Sequence, residues 1–245
     1  MNPPSPPPSA AALATLYAHR SIRKYSGEPI SADMLAAILE AGRAASSSSF
    51  MQSTHIIRIT DPALRQAFAE IAKNQQHIID AAEFLVFCLD YSKHHHLLPD
   101  AQSAWTEALL IGAIDAGIMA QNCLLAAESL GLGGVFIGAL RNDIARVAAL
   151  LQLPEHTAPL FGLCLGHPAQ EPLYRPRMPL AMTVSENAYR LPDAQAFADY
   201  NHTIASYYAQ RGHTLDWQQS VEKTLGKPLR PHVLAFLQQQ GLAKQ

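Results

Sequence analysis

Apolar residues recur at helical and strand spacing along the first half of the chain, and they predict alternating α and β elements. Ser31 is expected to cap a helix whose apolar stripe faces a core. Residues 55–60 form a predicted strand, and Asp61, with a proline after it, has the pattern of a helix start. The uninterrupted apolar run at residues 84–89 predicts a second strand that is buried on both faces.

The second half begins with the most apolar stretch of the chain, which predicts a long helix over residues 103–130. Strands are expected at residues 134–140 and 160–165, with a helix between them that Asn142 or Asp143 caps. Three more helices are predicted toward the C-terminus, at residues 193–210, 216–225 and 231–240.

Proline content divides the chain into a central part and two flanks. Residues 1–9 are rich in Pro and Ser and predict a disordered extension. Residues 10–245 are expected to form a single domain, in which residues 168–245 are a proline-rich linker followed by a helical arm. The pattern as a whole indicates a mixed α and β protein.

Composition narrows the class of protein. Apolar residues make up 49% of the 245 residues and charged residues 16%, which is typical of a chain with a large core. A net charge of −2 and a pI near 6.6 give no basic surface for nucleic acid or an anionic membrane. The long apolar segment carries Asp115, so a buried central helix is favoured over a membrane span. The chain start does not have the pattern of a signal peptide, and three cysteines without a C-x-x-C pair favour reduced thiols in the cytoplasm.

The densest candidate chemistry follows the first predicted helix, in His19-Arg20-Ser21-Ile22-Arg23. Two guanidinium groups, an imidazole and a hydroxyl within five residues are donors that match phosphate oxygens. Arg175-Pro176-Arg177, in the proline-rich connector, is either a pair of surface arginines or a second set of phosphate donors. The run at residues 19–23 therefore indicates a phosphorylated small-molecule ligand.

Other motifs have simpler explanations. Gly131-Leu132-Gly133-Gly134 is not a dinucleotide fingerprint, because it precedes a strand and lacks the third glycine, although Gly138 could let a flat ring approach the backbone. Cys164 lies in a Gly-x-Cys-x-Gly pattern that resembles a nucleophile elbow, but prolines follow where the helix should begin, so a buried structural thiol is favoured. His94-His95-His96 is interpreted as a solvated loop and not as a metal site.

Several segments together resemble the oxygen-insensitive NAD(P)H nitroreductase and flavin reductase family, in its larger NADPH-preferring branch. The resemblance covers the chain from about residue 16 to its end, in the order and spacing of the family. It rests on the segments at residues 19–23, 44–52, 56–61, 119–122, 126–134, 159–166 and 175–177.

The resemblance implies an α+β, nitroreductase-like fold, with a central and mainly antiparallel sheet, flanking helices and a C-terminal helical arm. It also implies an intertwined homodimer with tightly bound FMN at the subunit interface and NAD(P)H as the electron donor. The implied reaction is a two-electron, ping-pong hydride transfer that reduces nitroaromatics, quinones or related acceptors. No side chain is then the catalytic group, since FMN carries the chemistry, with support from Arg23.

By the same resemblance, residues are assigned to the ligands. His19, Arg20 and Ser21 with Arg175 and Arg177 would hold the FMN phosphate and ribityl chain. The remaining cofactor contacts would be Arg23, Gln75, Ser47, Ser48, Ser49, Ile137, Gly138 and Leu140. Phe50, Tyr208, Arg211 and Arg230 would border the nucleotide and substrate pocket.

One departure from the family bears on the electron donor. Tyr207-Tyr208-Ala209-Gln210-Arg211-Gly212 matches the branch, but the arginines expected after it are replaced by His213-Thr214-Leu215-Asp216. Weaker discrimination against NADH is therefore expected. Alternatives to a nitroreductase are a flavin reductase that supplies free reduced FMN, a hydrolase with a Cys164 nucleophile, and a non-catalytic flavin-binding protein.

Overall fold

The computed structural model describes residues 10–245, and the predicted extension at residues 1–9 lies outside them. The described chain contains α-helices and β-strands, with short 3₁₀ turns at Ser48–Phe50 and Gly138–Asp143. In chain order the elements are α1 (Ala11–Ala18), α2 (Ala32–Arg43), β1 (Thr54–Arg58), α3 (Pro62–Ile71), α4 (His77–Asp80), β2 (Glu83–Asp90), α5 (Ser92–Leu97), α6 (Thr106–Ser129), β3 (Gly133–Ile137), α7 (Ile144–Leu150), β4 (Thr157–Gly166), α8 (Leu180–Thr183), α9 (Ala194–Ala209), α10 (Trp217–Leu225) and α11 (His232–Gln239).

The four strands form one antiparallel sheet in the order β1-β2-β4-β3. Val86 of β2 lies between Ile57 of β1 and Gly162 of β4, so β2 is an inner strand. A register shift between Phe87 and Cys88 marks a bulge in its pairing with β4. The sheet confirms the antiparallel α+β architecture that the family resemblance implies.

Strand β2 separates two hydrophobic clusters. All eight of its residues are buried, which confirms the predicted burial on both faces. Phe84 and Val86 contribute to one cluster, and Leu85 and Phe87 contribute to the other. Because successive side chains of a strand point to opposite faces, one strand supplies both layers of the core.

Helix α6 is less buried than the sequence pattern suggested. It packs so closely on α2 that a Cβ at Gly42 would lie 2.3 Å from Cys123 Sγ. Its other side exposes large apolar residues, at Leu110, Ile114 and Ile118. Among the described residues, α6 is the one helix long and apolar enough to cross a membrane by length and composition, and 33% of its most apolar window is buried. The expected buried central helix is therefore a helix with one buried face.

Helix starts follow local capping chemistry. A side-chain oxygen accepts from a backbone N–H in the first turn at Ser31, Asp61, Asp143, Asp193 and Asp216. Each of these residues stands at a helix start that the sequence predicts, so these helix starts are confirmed. Strand β3 differs from the prediction, since it ends at Ile137 and the chain enters a 3₁₀ turn at Gly138.

The described chain divides into two compact units. The main unit comprises residues 10–172 and 230–245, and the arm unit comprises residues 173–229. The sheet and helices α1–α7 and α11 belong to the main unit, while α8, α9 and α10 belong to the arm unit. The last helix thus returns to the main unit, although it follows the arm in sequence.

Candidate functional site

The run His19-Arg20-Ser21-Ile22-Arg23 follows α1 directly and extends along the edge of the sheet. Helix α1 ends at Ala18, and Ser21 forms a parallel bridge with Gly134 at the start of β3. The Ile22 N–H donates to the Gly134 carbonyl at 3.0 Å, and the Ile22 side chain is buried. A Cβ at Gly133 would lie 2.4 Å from Ile22 Cγ1, so Gly133 provides the space that Ile22 fills.

His19 and Arg20 line a cavity of about 600 Å³ in the main unit, a size common for small-molecule sites. The cavity also exposes Thr15, Glu128 and Gly133 and the chain segment that follows β4. The Arg20 guanidinium donates to the carbonyls of Ala18 and His19, at 2.8 and 2.9 Å. These contacts hold the guanidinium close to the C-terminal end of α1.

The His19 imidazole is paired with a carboxylate from α6. His19 Nδ1 lies 2.5 Å from Glu128 Oε1, and the Glu128 side chain is only 10% exposed. A carboxylate so little exposed needs such a partner, because burial removes its hydration. The sequence alone does not identify Glu128 as a partner of His19, although Glu128 stands out as a carboxylate near the end of a largely apolar helix.

Arg23 lies close enough to the segment that carries Gln75 for its charge to act on His77. Burial lowers the pKa of the His77 imidazole, and the positive charge of Arg23 lowers it further. His77 Nε2 is buried and has no hydrogen-bond partner among the described residues. Gln75, two residues earlier, is half-buried. The structure thus adds His77 to the neighbourhood of a predicted flavin contact.

The serine loop, residues 47–49, has an unusual backbone. Ser49, Phe50 and Gln52 all have positive φ angles, of 49°, 57° and 54°. Such angles are costly for residues other than glycine and persist only where the surroundings impose them. Here the Ser48 N–H donates to both carboxylate oxygens of the buried Asp115 on α6, at 3.1 and 3.2 Å. Phe50 is 79% exposed.

Two of the residues at and after the end of β3 that are predicted to contact the flavin ring have buried side chains. The side chains of Ile137 and Leu140 are both 1% exposed and belong to the hydrophobic core. A Cβ added at Gly138 would lie 3.4 Å from the Arg141 guanidinium. Contact with a ligand from Ile137 or Leu140 would therefore have to come from the backbone.

Arg230 belongs to the main unit and is held beside the 3₁₀ turn after β3. Its Nε donates to Asn142 Oδ1 at 2.9 Å. Burial lowers the pKa of the neighbouring Arg141 guanidinium, and the charge of Arg230 lowers it further. Arg141 in turn donates to the Leu160 carbonyl on β4. Two cations thus lie near each other in this part of the main unit.

The arm unit brings the remaining predicted residues together. Arg175 Nη2 donates to the Tyr208 hydroxyl at 2.6 Å, and its guanidinium lies 5.5 Å from the Tyr208 ring centre. Arg211 makes the same pair of contacts with Tyr207, at 3.1 and 5.5 Å. Each tyrosine at the end of α9 therefore orients one arginine. Arg177 donates to the Arg175 carbonyl at 2.7 Å.

Two alternative sites have little structural support. Cys164 lies inside β4, where burial raises the pKa of its thiol well above the usual range, and no helix follows it as an elbow requires. His94–His96 lie in the short helix α5 and not in a loop, and His95 stacks on His156 with 3.7 Å between ring centres. No group of three potential metal-binding side chains occurs within residues 10–245.

The sequence matches known protein families over nearly all of its length. Residues 16–167 match the Nitroreductase family, and residues 175–245 match the C-terminal domain of the Nitroreductase family. The chain is 50% identical to an NADPH-flavin oxidoreductase of Vibrio harveyi, with 95% of this chain and 98% of the relative covered. It is 48% identical to an oxygen-insensitive NADPH nitroreductase of Salmonella typhimurium, with 94% and 98% covered.

Solved structures have the same fold. Nitroreductase A from Vibrio parahaemolyticus superposes with a TM-score of 0.94 at 49% identity, with 96% of this chain and 99% of that chain covered. An NADPH:FMN oxidoreductase from Vibrio harveyi in complex with NAD+ superposes with a TM-score of 0.92 at 49% identity, with 96% and 100% covered.

Proposed function

The chain belongs to the nitroreductase family, and from that premise we propose that it is an FMN-dependent NAD(P)H oxidoreductase. Its acceptors are nitroaromatics, quinones or related small molecules, which it reduces by two-electron, ping-pong hydride transfer. The observation that carries the proposal is the match over both parts of the chain to relatives named NADPH nitroreductase and NADPH-flavin oxidoreductase. Cytoplasmic localisation, with no nucleic-acid or membrane partner, is part of the same proposal.

The cavity lined by His19 and Arg20 fits the phosphate end of FMN. Its lining offers an imidazole, a guanidinium and the Thr15 hydroxyl, and the carboxylate of Glu128 is already engaged by His19. When bound, FMN supplies the two-electron redox chemistry. In this proposal His19, Arg20 and Ser21 hold its phosphate and ribityl chain, together with Arg175 and Arg177.

The redox end of the cofactor is assigned to Arg23 and Gln75. A guanidinium stabilises negative charge on an adjacent group, and an amide can both donate and accept hydrogen bonds. Burial and the charge of Arg23 lower the pKa of the neighbouring His77, so Arg23 is the cation assigned to this part of the site. Ser47, Ser48 and Ser49 add contacts from the serine loop, and Gly138 adds backbone contacts.

NAD(P)H and the acceptor are assigned to Phe50, Tyr208, Arg211 and Arg230. Arg211 is the group for the 2′-phosphate of NADPH, since a guanidinium matches phosphate geometry. No arginine follows it before Asp216, which supports use of NADH as well. The structure of the Vibrio harveyi relative in complex with NAD+ supports the same idea.

A homodimer completes the proposal. Exposed apolar residues on one side of α6, together with the expected intertwined family architecture, support pairing of two copies through this helix. Dedicated reduction of free flavin is the second candidate function. It is favoured by the 50% identity to a relative named NADPH-flavin oxidoreductase.

The decisive experiment is spectroscopic. The purified protein is expected to be yellow with flavin absorbance bands, and NADPH should bleach those bands in the absence of oxygen. Steady-state rates with a nitroaromatic, a quinone and free FMN then distinguish the two candidate functions. Colourless protein that takes up no FMN and loses activity on thiol alkylation would instead point to Cys164 and contradict the proposal. Yellow protein that NADPH does not bleach would indicate a flavin-binding protein without catalysis.

A further inference from the structure

Two arginines of the main unit lie near each other without a carboxylate partner. Arg230 Nε donates to Asn142 Oδ1 at 2.9 Å, so its guanidinium lies against the residue that follows Arg141. The Arg141 guanidinium donates to the Leu160 carbonyl. No ion pair in the described part of the chain includes either arginine. Their two positive charges are therefore not balanced by a neighbouring carboxylate.

The fold holds these two cations in place at a cost. Both arginines are half-buried, and the charge of Arg230 adds to burial in lowering the pKa of the Arg141 guanidinium. Asn142 fixes the arrangement, because its amide also donates to the Ile71 carbonyl at 3.0 Å. The backbone of Arg230 has a positive φ of 50°, a conformation that persists only where the surroundings impose it. Such an arrangement is typical of a site that receives an anion.

The position of the two arginines favours the electron acceptor as the source of that anion. A Cβ added at Gly138 would lie 3.4 Å from Arg141 Nη2, so the guanidinium lies beside a residue that the proposed function assigns to the flavin. Arg230 is assigned to the acceptor pocket. The FMN phosphate is already assigned to the cavity of His19 and Arg20, and the nucleotide 2′-phosphate to the arm unit. The acceptor is the ligand whose charged group has no assigned partner.

The guanidinium geometry suits a carboxylate. A guanidinium presents its donors in a planar fork that matches the two oxygens of a carboxylate, and hydrogen bonds between charged groups are stronger than neutral ones. Arg230 uses Nε for Asn142 and Arg141 uses Nη1 for the Leu160 carbonyl, so each retains further N–H donors. One carboxylate can therefore accept from both side chains.

We infer that Arg141 and Arg230 form a subsite for the carboxylate of an anionic acceptor. The enzyme then reduces nitroaromatic or quinone acceptors that carry a carboxylate in preference to neutral acceptors of the same shape. The inference rests on the proposed function, because it takes the acceptor to bind beside FMN. It makes Arg141 a specificity-determining residue, a role that the family resemblance did not imply.

The test compares 4-nitrobenzoate with 4-nitrobenzamide, a neutral acceptor of nearly the same size, in steady-state assays of the FMN-loaded protein with NADPH. The measured quantity is the ratio of kcat/KM for the benzoate to kcat/KM for the benzamide. Arg141→Met and Arg230→Gln should each lower this ratio about tenfold, because each removes one guanidinium from the carboxylate. Dividing the ratio of each variant by that of the wild type cancels the intrinsic difference in reducibility between the two acceptors.

Two further variants sharpen the test. Asn142→Asp keeps both arginines but places a carboxylate beside Arg230, so it should lower the ratio as well. Arg146→Gln removes an exposed cation on α7 that pairs with Glu70, and it should leave the ratio unchanged. Melting temperatures identify variants that do not fold. If Arg141→Met is one of them, the ratios for Arg230→Gln and Asn142→Asp decide.

Benzoate gives a measurement that does not depend on reduction of the anionic compound. As an inhibitor of 4-nitrobenzamide reduction it should occupy the same subsite, and benzamide is the neutral comparison. Arg141→Met should raise the inhibition constant of benzoate about tenfold relative to that of benzamide. In the wild type, the inhibition by benzoate should weaken as the salt concentration rises.

The outcomes separate this inference from the proposed function. An acceptor ratio that is unchanged in the folded variants overturns the inference alone. A loss confined to kcat/KM for NADPH also overturns it, because the anion would then belong to the nucleotide. Wild-type protein whose FMN is not reduced by NADPH, or that reduces neither acceptor, contradicts the proposed function and the inference with it.

Discussion

At the scale of single residues, two carboxylates of α6 account for how the predicted ligand segments are held. Asp115 is buried and accepts from the Ser48 N–H, while Glu128 accepts from the His19 ring. The helix is otherwise strongly apolar, so neither carboxylate is explained by solvent exposure. The hydrogen bond that each carboxylate accepts offsets the cost of its burial and holds a segment from the N-terminal part of the chain.

Replacing Asp115 with alanine should disturb the serine loop. The Ser48 N–H would lose a charged acceptor, and a hydrogen bond to a charged group contributes about 1.5–3 kcal/mol to the free energy of unfolding. The loop backbone, with three positive φ angles nearby, would relax. We expect FMN to bind about tenfold more weakly to the variant, in addition to the loss of stability.

Chemical denaturation and FMN titration of Asp115→Ala measure the two effects separately. Glu107→Ala, at the exposed start of the same helix, is the control for loss of a carboxylate. FMN affinity equal to that of the wild type would show that Asp115 does not act through the serine loop.

At the scale of elements, the end of α9 orients two arginines, one of which the proposal assigns to the nucleotide. Tyr207 and Tyr208 each hold one guanidinium through the hydroxyl and the ring face. Arg211 is the one that the proposal assigns to the NADPH 2′-phosphate. The absence of further arginines before α10 limits how strongly this end of the helix can prefer a phosphorylated nucleotide.

Arg211→Ala should lower kcat/KM for NADPH about tenfold and leave kcat/KM for NADH nearly unchanged, because only NADPH carries the 2′-phosphate. Steady-state kinetics with both nucleotides measure this. Lys223→Ala, an exposed cation on α10, is the control for a general loss of positive charge in the arm unit. A wild-type preference for NADPH above about 10³, or about 4 kcal/mol, would contradict the limited selectivity proposed here.

The sequence predicts those helices and strands whose boundaries are set by residues close by in the chain. Helix starts at Ser31 and Asp61 could be predicted because a cap bonds within one turn. At residues 94–96 the sequence predicts a loop and the structure has helix α5, whose His95 stacks on His156, a residue far along the chain that local spacing does not indicate. The pairing of His19 with Glu128 spans 109 residues, and neither local spacing nor composition indicates such a contact.

At the scale of the whole molecule, the surface of α6 is the feature that the main unit alone does not explain. Leu110, Ile114 and Ile118 recur every fourth residue and are 51%, 58% and 42% exposed. Such a stripe on one helical face is typical of a surface that is covered in an oligomer. This is the face through which the proposed homodimer would form.

Ile114→Glu should convert the proposed dimer to a monomer, because an apolar interface does not accommodate an unpaired charge at its centre. Sedimentation velocity measures the oligomeric state, and the FMN content of the purified variant should fall with it. Leu234→Glu, at an exposed apolar position on α11, is the control for a new surface charge. A variant that sediments as the wild type does would exclude this face from the interface.

The fit of Ile22 against Gly133 has a consequence for redesign of this enzyme. Of the five adjacent residues His19 to Arg23, four carry side chains that the proposal assigns to the cofactor, and the fifth belongs to the core. Ile22 is buried, and its space exists only because Gly133 has no side chain. A library that randomises His19, Arg20, Ser21 and Arg23 would therefore keep the backbone of this segment in place. A library that also varies Ile22 or Gly133 would mostly give variants in which the segment is displaced.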